Sequence, residues 1–158
     1  MRKAELIADA WGEWIAGMGD WHVFGGLTYD PDRRSTLPGS DVARAHVRRW
    51  IGDSKRHPGV FVEAAVVALE YQRNGWPHFH PLLRLRGGAR PGVFGELGQA
   101  WFKEHGYARL TSPRSELDVA RYAAKYLAKD ISRGDVIFWP PHGQLTTHQP
   151  VLQRREGA

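Results

Sequence analysis

His78, Phe79 and His80 stand in the segment GWPHFHPLLRL, and the spacing of the two imidazoles is the kind a metal site on a strand requires. Residues two apart along a strand project to the same face, so both rings can converge on one ion while Phe79 turns to the other side. Glu70 lies upstream across a turn at Arg73, Asn74 and Gly75 and can add a carboxylate, on one condition. A two-residue turn at Asn74-Gly75 sets Tyr71 opposite His78 and sends Glu70 to the wrong face, whereas an odd-length loop centred on Asn74 pairs Glu70 with His78. Two nitrogens and a carboxylate oxygen, with positions left open for water or phosphate, suit Mn²⁺, Mg²⁺ or another divalent ion acting as a Lewis acid. The competing reading is two ordinary surface or core histidines, since a chain with eight histidines also produces His-x-His by chance.

A second group of reactive residues lies in ELDVARYAAKYLAKD. At about 100° per residue, Ala120, Ala123, Ala124, Leu127 and Ile131 form a narrow face of small residues suited to lying on a sheet. Tyr122, Lys125, Tyr126 and Lys129 cluster on the opposite side, so both phenols are expected to point away from the buried stripe. A phenol is a poor nucleophile at neutral pH, but an ammonium three residues on favours the phenolate and neutralises a phosphate. Tyr122 with Lys125 and Tyr126 with Lys129 both offer that arrangement. Tyr126 has a lysine on each side and is the better placed to attack first. Helical tyrosines also serve as packing residues, and the helix phase is what argues against that use here.

These groups need a scaffold, and 158 residues are enough for one domain with a real core. Residues 2–18 read as an amphipathic helix with Leu6, Ile7, Ala10, Trp14 and Met18 on one side. Trp21 to Asp30 reads as a strand stopped by Pro31, and Ser40 or Asp41 caps a helix through His57. That helix turns Val42, Ala45, Val47, Trp50 and Ile51 inward and Arg44, Arg48, Arg49 and Lys55 outward. Val60–Tyr71 and His78–Arg86 form a hairpin candidate, Pro91 opens a helix ending near Gly106, and Tyr107–Thr111 is a further strand. Ser115 with Asp118 makes a capping box for the tyrosine helix, which runs to about Asp130, and Val136–Trp139 is a short last strand. The tail from Pro140 has too few apolar residues to hold itself. The order points to a single α+β domain, a mostly antiparallel sheet with helices over one face.

Composition narrows the chemistry. With no cysteine there is no disulfide scaffold, thiolate zinc site or thiol nucleophile, so any metal rests on His, Asp or Glu. No segment is apolar enough to span a bilayer, and the N-terminus lacks the uninterrupted apolar region of a signal peptide. Of the 22 basic residues 17 are arginine, against 17 acids, and the sequence pI is about 9.8. Guanidinium groups bind phosphate bidentately and stack on bases, which favours a polyanionic partner such as nucleic acid.

Taken together and in order, FGGLTYD, GWPHFHPLL and RYAAKYLAK resemble the three motifs of HUH-superfamily rolling-circle replication initiators, the Rep proteins of phages and plasmids. The resemblance covers roughly residues 21–130. It implies a five-stranded antiparallel sheet of the RRM/ferredoxin-like HUH nuclease fold, with the paired histidines on a central strand and a tyrosine on a nearby helix. It makes His78 and His80 metal ligands with Glu70 a third, and Tyr122 and Tyr126 the paired tyrosines of the phage-like class, with Lys125 and Lys129 beside them. Phe24 to Tyr29 resembles the family strand near bound DNA, which points to Thr28 and Tyr29, with the outward arginines Arg44, Arg48 and Arg49 as further DNA contacts. Gly25-Gly26 replaces the family's bulkier run, and Pro81 removes a ladder donor from a strand expected to be central. The implied activity is nicking and joining of single-stranded or hairpin origin DNA through a 5′-phosphotyrosine, with a divalent ion as cofactor. A host polymerase would extend the 3′-OH and a host helicase or supercoiling would supply unwinding, because no nucleotide-binding Gly-x-x-x-x-Gly-Lys-Ser/Thr loop is present. The expected location is the cytoplasm of a prokaryotic host. A relaxase or tyrosine transposase of the same superfamily, or a non-enzymatic single-strand binder that stacks bases on Trp and Tyr, are the alternatives.

Overall fold

A computed structural model describes residues 3–54, 60–122, 125–126 and 136–140. The chain runs α1 (Lys3–Gly17), β1 (Val23–Tyr29), α2 (Ser40–Ser54), β2 (Val62–Tyr71), β3 (Pro77–Leu85), α3 (Val93–Glu104), β4 (Gly106–Thr111), α4 (Glu116–Tyr122) and β5 (Val136–Trp139). The strands form one antiparallel sheet in the order β4-β1-β3-β2-β5. The histidine strand β3 is therefore the central one, as the motifs imply.

The hairpin has the odd loop. Gln72 pairs with Trp76 through a backbone hydrogen bond, leaving Arg73, Asn74 and Gly75 as three loop residues. Gly75 has φ 83°, the left-handed conformation that closes a three-residue hairpin, and Asn74 Oδ1 accepts from the Trp76 N–H. Glu70 consequently sits directly opposite His78.

Both faces of the sheet are covered, which corrects the expectation of helices over one face. On one face α2 and α3 pack Val47, Trp50, Ile51, Leu97 and Trp101 onto Leu27, Phe79 and Leu83. On the other, α1 and α4 pack Trp11, Trp14, Ile15, Val119 and Tyr122 onto Ala68, Val66 and Leu82. The strand sequences require this: β2 is buried almost without interruption from Ala64 to Leu69, so neither of its faces can be left wet. Trp50 Nε1 donates to the Leu97 carbonyl and Trp21 Nε1 to the Ile15 carbonyl, so these indoles tie elements together at the same time as they fill space.

The helix phases differ from the periodicity in detail. In α1 the buried stripe is Trp11, Trp14, Ile15 and Met18, with Leu6 half exposed. In α2 Ala43 is buried and Val42 and Ala45 are exposed, because the sheet takes up the side defined by Val47, Trp50 and Ile51. No helix among the described residues is long and apolar enough to cross a membrane.

Candidate active site

Phe79 belongs to the core under α2 and α3, so strand alternation puts His78 and His80 on the opposite face, beyond the end of the α1 and α4 layer. Their rings meet edge to face with centroids 4.5 Å apart. His80 Nε2 is 2.9 Å from Glu70 Oε2, a diagonal contact across the β2–β3 pair. His78 Nδ1 is 3.0 Å from Thr28 Oγ1 on β1, directly opposite it. Thr28 thus orients a ring, and its Nδ1 contact leaves Nε2 of His78 available.

Burial depresses the affinity of both imidazoles for protons, aided at His78 by the neighbouring His80 and opposed at both by the Glu70 carboxylate. Both are therefore neutral near pH 7 and carry a free lone pair, the state in which imidazole binds a metal. Among the described residues no three His, Asp or Glu side chains are gathered closely enough to hold an ion as they stand. The donor chemistry nonetheless fits a divalent cation: His78 and His80 supply neutral nitrogens, and the half-exposed Glu70 side chain is free to turn its carboxylate.

The two tyrosines part company, which corrects the expectation that both face away from the buried stripe. Tyr122 is 4% exposed, and with Val119 it forms the face of α4 that lies on the sheet. Its hydroxyl accepts from the Ala68 N–H and lies within donating distance of the Val66 and His80 carbonyls. Burial raises its pKa steeply. A phenol so enclosed and so fully bonded is a packing residue. Tyr126 is partly exposed and lies in a wider π-type turn with Lys125, where a rotation of 100° per residue no longer holds. Its ring stacks on His80 with centroids 4.0 Å apart and planes at 21°. The exposed Lys125 ammonium hydrogen-bonds the Tyr126 phenol, which raises the lysine's own pKa. The remainder of the tyrosine helix, with Lys129, lies outside the described residues.

Other expected DNA contacts are placed elsewhere. Tyr29 is 2% exposed in the α2–α3 core, its hydroxyl 2.9 Å from His46 Nδ1, so it is a core residue and not a contact surface. Burial accordingly holds its phenol protonated far above the usual range. Arg44, Arg48 and Arg49 ride on α2, on the far side of the sheet from the histidines; Arg44 is paired with Asp41 at 3.8 Å. The surface beside the histidines is instead a groove of about 780 Å³ between β1 and the edge strand β4, lined by Phe24, Thr28, His78, His80, Tyr107 and Arg109. Tyr107 and Arg109 are exposed there, an aromatic ring and a guanidinium two residues apart on one strand. Sequence reasoning passed over them because one short amphipathic strand carries no signal of which edge it will occupy. A second hollow of about 800 Å³ borders α2 and α3, but its lining of Asp53, Glu96, Glu104 and Lys103 is acidic on balance and unsuited to a polyanion.

The family model for replication-associated proteins of the ORF2 type matches residues 22–131, which takes in β1, the histidine strand and both tyrosines. The chain belongs to this family. As a replication-associated protein it has a role in initiating DNA replication, with DNA as its partner. No curated protein sequence matches the chain.

Proposed function

We propose that this replication-associated protein is an endonuclease and strand transferase that nicks single-stranded origin DNA with Tyr126 as nucleophile. The observation that carries the reading is the stacking of Tyr126 on His80 with Lys125 on its hydroxyl, beside an open groove. The strand lies in the β1–β4 groove, where Tyr107 stacks a base and Arg109 meets a phosphate. A divalent ion, Mn²⁺ or Mg²⁺, held by His78, His80 and Glu70, would supply Lewis-acid polarisation of the scissile phosphate. Lys125 favours the Tyr126 phenolate, whose oxygen bonds to phosphorus as the bond from phosphorus to the 3′ oxygen breaks. The 3′ oxygen takes up a proton, leaving a 5′-phosphotyrosyl protein and a free 3′-OH. The new ester retains the energy of the broken one, so attack by another 3′-OH reverses the step and joins strands.

The test is denaturing electrophoresis of a labelled origin strand with protein and Mn²⁺. A covalent adduct is expected with the natural chain and with Tyr122→Phe, and none with Tyr126→Phe. An adduct surviving Tyr126→Phe at full yield, or cleavage indifferent to chelator, defeats the assignment.

A further inference from the structure

The two departures from the family pattern, Gly25-Gly26 and Pro81, lie next to each other in the sheet. Phe24 pairs with Leu82 and Leu27 with Phe79, which sets Gly25 opposite Pro81 and Gly26 opposite His80, and the β1–β3 ladder has no partner pair at those two positions. Hydrogen-bond parity says which groups go without. Asp30 N–H donates to the His105 carbonyl at the β4 end of β1, so even-numbered β1 residues bond to β4 and Gly25 turns its amide groups toward β3. Gln72 N–H donates to the Trp76 carbonyl, so even-numbered β3 residues bond to β2 and Pro81 turns its nitrogen toward β1. A residue other than proline at 81 would donate its N–H to the Gly25 carbonyl. Proline has none to give.

Position 25 is equally restricted. A Cβ there would lie 1.9 Å from the Arg109 carbonyl oxygen on β4, so only glycine permits this approach of the two backbones. The carbonyl released from the ladder is not idle, because the His80 ring makes a hydrogen bond to the Gly25 backbone. Since Nε2 of that ring faces Glu70, the nitrogen that bonds Gly25 is Nδ1.

We infer that Pro81 and Gly25 are positioning residues that aim His80: by withholding a ladder donor, Pro81 keeps the Gly25 carbonyl free to accept from Nδ1–H of His80, which holds the Nε2 lone pair toward Glu70. A metal-ligating histidine needs this outer partner to fix tautomer and ring orientation. Here it is obtained by deleting one hydrogen bond from the middle of a sheet. The inference rests on the proposed metal site, but it concerns the imidazole and is read without DNA or cleavage.

The experiment is ¹⁵N NMR of the histidine side chains in the full chain with saturating Mg²⁺, beside a Mn²⁺ affinity measured by EPR for the natural chain and Pro81→Ala. The natural chain is expected to show His80 protonated at Nδ1 with a hydrogen-bonded, downfield proton. Pro81→Ala, whose restored N–H takes the Gly25 carbonyl, is expected to lose that signal and about 10- to 100-fold in Mn²⁺ affinity. An Nδ1 without a proton in the natural chain overturns the inference, whatever the variant does and whether or not it folds. So does a folded Pro81→Ala with unchanged affinity. An Nδ1–H signal in a chain that binds no Mn²⁺ leaves the aiming contact standing and defeats the metal site of the proposed function instead.

Discussion

Tyr122 and Tyr126 are the same residue type four positions apart, and their surroundings give them opposite chemistry. Tyr122→Phe removes the acceptor of the buried Ala68 N–H and is expected to cost about 1–3 kcal/mol in denaturant unfolding while adduct formation persists. Lys125→Ala leaves Tyr126 without its ammonium and is expected to slow adduct formation while strand affinity, which is spread over other contacts, changes little. A third residue governs behaviour in acid. His105 is buried against Trp101 and His46, with ring centroids 4.4 Å and 4.3 Å away, and its Nδ1 finds no partner among the described residues. Burial first, then His46, Arg34, Arg33 and Arg49, push its pKa from 6.5 down to about 4. Between these two values the unfolded chain binds the extra proton and the folded chain does not, so stability is fully present above pH 6.5 and is lost as pH falls toward 4. His46, shifted the same way mainly by burial, adds to the slope. Thermal melts across that window should show the decline, and His105→Phe should flatten it.

At the scale of elements, the site depends on where glycine lets two strands and a ring come together. A Cβ on Gly26 would lie 3.1 Å from Cε1 and Nε2 of His78, so Gly26→Ala must push that ring by a few tenths of an ångström. The expected outcome is a folded protein with roughly ten-fold weaker Mn²⁺ binding, the scale of a disturbed ligand shell. Gly25→Ala meets the backbone of Arg109 instead and is expected to loosen β4 and lower stability as well, which urea melts of the two variants will separate. The substitution of glycines for bulkier residues in the first motif is thus an adaptation of this sheet to its own histidines.

At the scale of the whole molecule, the sheet divides the protein into a packing side and a working side. The α2 arginines belong to the first, and Arg109 to the second. Arg48→Ala with Arg49→Ala is expected to leave strand affinity and cleavage unchanged. Arg109→Ala is expected to weaken binding of single-stranded DNA and to reduce the slope of log affinity against log salt by about 0.7, one phosphate contact. Fluorescence anisotropy over a salt series reads both. Equal losses from the two sets would place the strand across both faces.

The order of elements, the histidine pair and its strand, and the loop condition on Glu70 were legible in the chain because each is a local property: side-chain alternation, turn chemistry and the spacing of apolar residues act over a few positions. The same locality let the set of three motifs point to the replication-associated family. What folding in three dimensions decided was which of two equivalent choices each residue took. Periodicity on α4 gave a stripe of small residues and a face of tyrosines, but Tyr122 found three backbone partners in the sheet and went inside. Tyr29 alternates inward on β1 with Leu27, and only the packing of α2 and α3 on that face made inward mean buried in a core instead of facing DNA. Arg48 and Arg49 are outward on their helix by any reading, yet outward from α2 is away from the histidines, because the sheet is covered on both faces and its two surfaces are separate in function. Periodicity states which side of an element is apolar, and only tertiary packing states what each side faces.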